Sequence, residues 1–156
     1  MNEITSRDAF AKAPPKRPAV LCVRGPEGRT DLIRTEWFTW LNMRRQPMIA
    51  YSLFRDASLG ADLRSDDPLI LAFPPVVDVK AYEKGFRSAG AGEDKPCPAG
   101  ISLVQEPELK MLIPATSEIV LVCTLTHAYN YPFKKVRIFN CDLETAYLRT
   151  SSGRNI

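Results

Sequence analysis

A chain of 156 residues with a formal net charge of +3 is the size of one domain, and such a domain buries roughly 70% of the surface it exposes when unfolded. With 45% hydrophobic and 25% charged residues, it has the make-up of a folded globular protein and not of a disordered one. Lys and Arg alternate with Asp and Glu instead of gathering on a stripe, which argues against a nucleic-acid surface, and the apolar runs fall far short of the ~20 residues of a membrane-spanning helix.

The first sixteen residues are polar and charged. They lack the apolar segment of a secretory leader, and Pro14, Pro15 and Pro18 stop a helix from continuing. They read as an arm or a short helix ahead of a domain spanning 17–150, with 151–156 as a tail. Ala19 to Val23 is a compact apolar run that ends at Gly25-Pro26-Glu27-Gly28, a strong turn signal. Thr30 to Leu41 contains Leu32, Ile33, Trp37, Phe38 and Trp40, and this β-rich composition predicts a hairpin with the first strand. Pro47 stops it, and Met48 to Phe54 reads as the third strand. Arg55-Asp56-Ala57-Ser58 then offers N-cap residues for a short helix from Leu59 to Arg64. Beyond Pro68, Leu69 to Phe73 is a buried strand closed by Pro74-Pro75. Val76, Val79, Tyr82 and Phe86 recur close to a helical period, and Ser88 to Pro98 is a loop rich in Gly, Ala and Pro. Glu118 to His127 and Lys135 to Leu148 are long β-type segments joined by Asn130-Tyr131-Pro132. About six strands and two short helices, spaced in this way, predict a closed antiparallel barrel and not a doubly wound sheet.

Cys22, Cys97, Cys123 and Cys141 are widely spaced and include no C-x-x-C pair, so a zinc or dithiol motif is excluded. Three of them lie in apolar runs, where a free thiol behaves as a small buried hydrophobe; reduced thiols in the cytoplasm are the expected state. Gly90-Ala91-Gly92 follows no strand and opens no helix, unlike a dinucleotide-binding loop. His127, the single histidine, reads as a packed or interface residue of a strand. No Ser-His or Cys-His constellation marks a nucleophile, and no catalytic side chain or metal ligand is assigned.

Three stretches, in order, resemble the flavin reductase-like FMN-binding family. Arg17 to Val23 followed by Gly28 to Ile33 is similar to that family's opening hairpin, leading into Glu36-Trp37-Phe38-Thr39. Gln46-Pro47-Met48-Ile49-Ala50-Tyr51-Ser52-Leu53 is similar to its proline-led third strand. Ser88 to Val104, through Asp94-Lys95 and Ala99-Gly100-Ile101-Ser102, is similar to its Ser-Gly…Asp-Lys loop. The resemblance spans roughly residues 17 to 150. It implies a mainly β, antiparallel split barrel of Greek-key type with a few short peripheral helices, binding FMN and pairing as a homodimer with the flavin near the interface. It places Arg34, Thr35, Glu36, Trp37, Phe38 and Thr39 along the flavin ring. Ser52, Leu53, Arg55 and Ser58 fall at the phosphate loop, with Lys95 as a second cation; a helix N-terminus favours anions and Arg grips phosphate oxygens in bidentate fashion.

The chain departs from the family in two places. Arg34 and Glu36 stand where Thr and Ser are common, and a carboxylate beside a flavin disfavours a reduced, anionic ring. Around Tyr131-Pro132-Phe133-Lys134 there is no histidine, whereas many NAD(P)H-dependent members carry Gly-Asp-His there. Two functions are therefore expected as alternatives. One is an oxidoreductase that passes electrons from NAD(P)H through FMN. The other is a flavoredoxin-like electron carrier, or a flavin binder without nicotinamide turnover, for which Lys134 and Lys135 would meet a cofactor phosphate or an acidic redox partner. The electron partner is a small molecule or a redox protein, with neither nucleic acid nor membrane involved.

Overall fold

The computed structural model describes residues 1–25, 28–35, 37–42, 45–54, 63–79, 102–132 and 135–149. In chain order these form β1 (Asn2–Ile4), α1 (Ser6–Lys12), β2 (Ala19–Arg24), β3 (Thr30–Thr35), β4 (Phe38–Asn42), β5 (Met48–Phe54), β6 (Pro68–Phe73), α2 (Val76–Val79), β7 (Leu103–Gln105), β8 (Leu112–Pro114), β9 (Ile119–Asn130) and β10 (Val136–Leu148). One antiparallel sheet runs β3-β2-β6-β9-β10-β5-β4, with β1 laid along the end of β10. The mainly β, antiparallel architecture expected from the strand spacing is the one adopted. The sheet curls on itself: Ile33, from one edge strand, and Phe38, from the other, share a buried cluster with Leu21, Tyr51, Leu71 and Phe139.

Burial explains which strands are easy to read. Outside the curl, β2, β6 and β9 carry a second buried cluster of Val20, Cys22, Ile70, Ala72, Val120 and Val122, roofed by Met111 and Ile113 around the β7–β8 hairpin. Strands covered on both faces read as unbroken apolar runs, as Ala19 to Val23 and Leu69 to Phe73 do. By contrast, β5 alternates: Ile49, Tyr51 and Leu53 are buried, while Ala50 and Ser52 are half-buried.

Several elements differ from the sequence expectation. The single segment from Thr30 to Leu41 is two strands, β3 and β4, which sit at opposite ends of the sheet order. The N-terminal segment contributes β1 and α1. Thr5 caps α1 by accepting from the Asp8 N–H at 3.2 Å, as N-cap residues do, and Ala9 and Ala13 are fully buried. The hairpin β7–β8 was not foreseen, because two three-residue strands carry too little periodicity to register. The helix predicted from Leu59 to Arg64 lies outside the described residues except for Leu63 and Arg64. Of the one predicted from Val76 to Arg87, only Val76–Val79 is described, and it is helical.

The β2–β3 hairpin turns with Gly28 at φ +72°, and Gly25 N–H donates to the Arg29 carbonyl at 2.9 Å. Gly25 is needed for space: a Cβ there would lie 2.6 Å from Asp31 Oδ1. Asp31 is buried, and its Oδ1 has no hydrogen-bond partner among the described residues. Burial raises its carboxyl above the ordinary 3.8, with Arg29 opposing the shift. A raised folded-state value means this group's contribution is most favourable below pH 3.8 and is lost as pH rises through the folded value. In chemical denaturation, Asp31→Asn is therefore expected to gain stability over wild type as pH rises from about 4 to 7. A stability difference independent of pH would contradict this.

Candidate functional site

The β4–β5–β10 side of the barrel lacks a roof of the β7–β8 kind among the described residues, and its outer face is partly exposed. Strand register decides what lies there. Thr39 is paired with Ala50, Ala50 with Asn140, and Asn140 with His127. One rung along, Ser52 is paired with Ile138 and Ile138 with Tyr129. Because side chains alternate across a strand, these residues share one surface. Trp37 completes the second rung: its carbonyl accepts from Ser52 N–H at 3.0 Å, while its own N–H donates to Thr35 Oγ1 at 3.2 Å. Its indole is 72% exposed.

The surface forms an open cleft of about 470 Å³ bounded by Trp37, Thr39, Leu41, Ser52, Tyr129 and Asn140, with Pro15 and Lys16 along one side. Among the described residues it offers an aromatic wall, the aliphatic hydroxyls of Thr39 and Ser52, the Asn140 carboxamide, and the cation of Lys16. Beneath it the barrel interior is tightly packed. Tyr51 and Phe139 stack with ring centroids 4.8 Å apart and planes 8° apart. Burial raises the Cys123 thiol and lifts Cys141 to about 12, so both stay protonated and unreactive, in keeping with their reading as buried hydrophobes. Cys97 lies outside the described residues. His127 is exposed and stacks on Tyr129 at 5.7 Å.

Of the residues singled out in the sequence, the cleft brings together Trp37, Phe38, Thr39 and Ser52. Arg34 and Thr35 belong to β3 and are not in its lining; Leu53 points into the barrel core. Glu36, Arg55, Ser58 and Lys95 lie outside the described residues. Sequence reasoning missed Ala50, Ile138 and Asn140, which are brought in by long-range pairing alone. Lys16 carries no sequence signal either.

A second cleft, of about 490 Å³, lies between Met1, Glu106, Glu108, Tyr147 and Arg149. Its carboxylates and its phenol are engaged internally. The buried Glu106 carboxylate accepts from the backbone N–H groups of Glu108 and Leu109. The Tyr147 hydroxyl donates to Glu108; that bond, burial and the neighbouring carboxylate charge lift it to about 12. Both carboxylates of this cleft are tied into its own wall, and it holds none of the residues singled out for the flavin, so the β4–β5–β10 cleft is the candidate.

No protein-family model and no curated protein sequence matches the chain. Solved structures do. A flavoredoxin of Desulfovibrio vulgaris (Miyazaki F) superposes with a TM-score of 0.67 at 15% identity, covering 92% of this chain and 75% of that one. The flavin reductase component of a bacterial two-component tryptophan halogenase gives 0.67 at 16% identity, covering 86% and 81%. The NADH:FAD oxidoreductase of Streptomyces globisporus, in complex with NAD and FAD fragments, gives 0.65 at 15% identity, covering 95% and 87%. The chain has the split-barrel fold of flavin reductases and flavoredoxins.

Proposed function

We propose, from that fold as premise, that the chain is an FMN-binding oxidoreductase that holds its flavin in the β4–β5–β10 cleft. The observation that carries the reading is Trp37: a large aromatic residue left 72% exposed on a largely apolar cleft that also holds Thr39, Ser52 and Asn140. A flavin presents a flat apolar ring with a polar edge, and this lining matches it. The cleft volume falls within the roughly 300–1,000 Å³ of ligand pockets. Bound flavin supplies the redox chemistry; the protein supplies binding, orientation and electrostatics. Trp37 walls the ring, Thr39, Ser52 and Asn140 address its polar edge, and the packed Tyr51–Phe139 layer keeps the floor rigid. Arg34, Thr35 and Glu36, which precede Trp37 on the same segment, are proposed for the flavin on the family resemblance alone, Arg34 and Thr35 lying outside the cleft lining. Arg55, Ser58 and Lys95 are the residues proposed for the phosphate. FMN is favoured over FAD because the sequence offers one compact anion cradle, from Ser52 to Ser58.

The hydride donor is proposed to be NAD(P)H; the name of the Streptomyces globisporus oxidoreductase records NADH for that protein. Electron carriage without nicotinamide is the second reading, supported by the flavoredoxin match and by the missing histidine at 131–134. Anaerobic mixing of the FMN-loaded chain with NADH and NADPH tests the two. Bleaching of the flavin by either nucleotide supports a reductase; no bleaching by nucleotide, together with reduction by dithionite, supports a carrier. Tighter binding of FAD than of FMN would contradict the assignment of FMN.

The chain is further proposed to act as a homodimer in the cytoplasm, with each flavin near the interface. Trp37, Leu41, Tyr129 and Tyr131 are all exposed, and clustered apolar surface of this kind marks interaction sites. Aromatic residues dominate interface energetics, so Tyr129 and Tyr131 are its anchors. Phe133, from the same loop, lies outside the described residues.

A further inference from the structure

Lys16 occupies a backbone conformation that does not suit it. Arg17 N–H donates to the Pro14 carbonyl at 3.1 Å, closing a turn with Pro15 and Lys16 at its centre. Proline suits the first central position, but a positive φ at the second is the preserve of Gly or Asn. Lys16 sits there at φ +67°. The two other described non-glycine residues with positive φ, Asp66 and Lys110, lie away from the cleft lining. Strained positions persist where the surroundings over-determine them, and they gather at functional sites.

The turn is held firmly on both sides. The Trp40 indole N–H donates to the Ala13 carbonyl at 2.9 Å. The Arg17 guanidinium donates to the Lys12 carbonyl at 2.7 Å and bridges to Glu118 at 2.6 Å. Arg17 and its carboxylate neighbour thus form an ion pair, whereas no described carboxylate reaches the ammonium of Lys16. That ammonium is the one charged group among the described residues lining the cleft. A cation kept at a conformational cost beside an aromatic wall suits recognition of an anion on an aromatic ligand.

We propose that Lys16 is the anion-recognising residue of this cleft, and that it takes a phosphate group carried by the flavin or by the nucleotide that approaches it. The inference rests on the flavin reading. The turn is tied to β4 through Trp40, whereas Arg55 follows β5 in sequence, so a flavin phosphate on Lys16 would replace the assignment to Arg55, Ser58 and Lys95, and a nucleotide phosphate would leave it standing.

Two substitutions separate charge from strain. Lys16→Gly removes both; Lys16→Met removes the charge and keeps the strain. Lys16→Gly is expected to raise Tm by a few degrees, while Lys16→Met leaves it unchanged. Both are expected to weaken the same ligand by about ten- to a hundred-fold, the effect of losing a hydrogen bond to a charged group, and Lys16→Arg should restore most of the loss. Titrations with FMN, riboflavin and NADH identify the source. Weaker FMN with unchanged riboflavin assigns the flavin phosphate; unchanged flavins with weaker NADH assign the nucleotide. Flavin binding by wild type with all three ligands unaffected by either substitution would overturn the role of Lys16 alone. Absence of any flavin binding by wild type would overturn the flavin reading and this inference together. A lower Tm for Lys16→Gly would remove the strain on which the inference stands.

Discussion

Truncating Phe139 to alanine is expected to cost about 3–5 kcal/mol of stability, the range for removing a buried aromatic from a packed core. Phe139 is 1% exposed, stacks on Tyr51, and carries the Arg137 guanidinium over its ring at 5.2 Å. It lies on β10 between Ile138 and Asn140, the two residues of that strand that face the cleft. Its removal would open a void directly beneath the cleft floor, and neighbours on β5 would relax into it. Urea unfolding measures the loss, and flavin affinity should fall along with it. A loss under 1 kcal/mol would mean that the interior is packed differently from the arrangement described above.

Trp37→Ala makes the opposite test, because stability and function part company. An exposed side chain outside any special contact changes stability by no more than about 0.5 kcal/mol. Trp37 makes its hydrogen bonds through backbone atoms only, which alanine preserves. Stacking of a flat heteroaromatic ring on a side chain is worth about 1–3 kcal/mol, so FMN affinity should drop by about five- to a hundred-fold. Thermal unfolding together with an FMN titration checks both halves. Unchanged affinity would remove Trp37 from the flavin wall, and a large loss of stability would show that it is a structural residue.

How much of this was legible beforehand depends on the range of the interaction that fixes each feature. Strands buried on both faces announced themselves, since Ala19 to Val23 and Leu69 to Phe73 tolerate no polar residue on either side. The turn at Gly25 to Gly28 and the stop at Pro47 placed the hairpin and the start of β5 through local chemistry. Strand β1 was illegible because Asn2-Glu3-Ile4 is polar and short; it exists because Ala146, Tyr147 and Leu148 offer it a pairing edge. The break between β3 and β4 was hidden inside one apolar-rich segment. For the candidate site, Trp37, Thr39 and Ser52 are singled out by the family resemblance and lie in the cleft lining. Ala50, Ile138 and Asn140 carry no signal of their own, and only the pairing of β5 with β10 brings them to the cleft. Lys16 is ordinary by type and unusual by conformation, and conformation at a turn of this kind is invisible in the order Pro14-Pro15-Lys16-Arg17.

The central claim is that this chain holds FMN in the cleft of Trp37 and Ser52 as a two-fold assembly. Sedimentation equilibrium of the chain mixed with FMN, followed at the visible absorbance of the flavin, tests it in one measurement. The expected result is flavin colour distributed with the mass of a dimer, and a fraction bound that falls when Trp37 is replaced by alanine. Flavin that stays uniformly distributed as free dye, or that follows a monomer at full saturation, would contradict it.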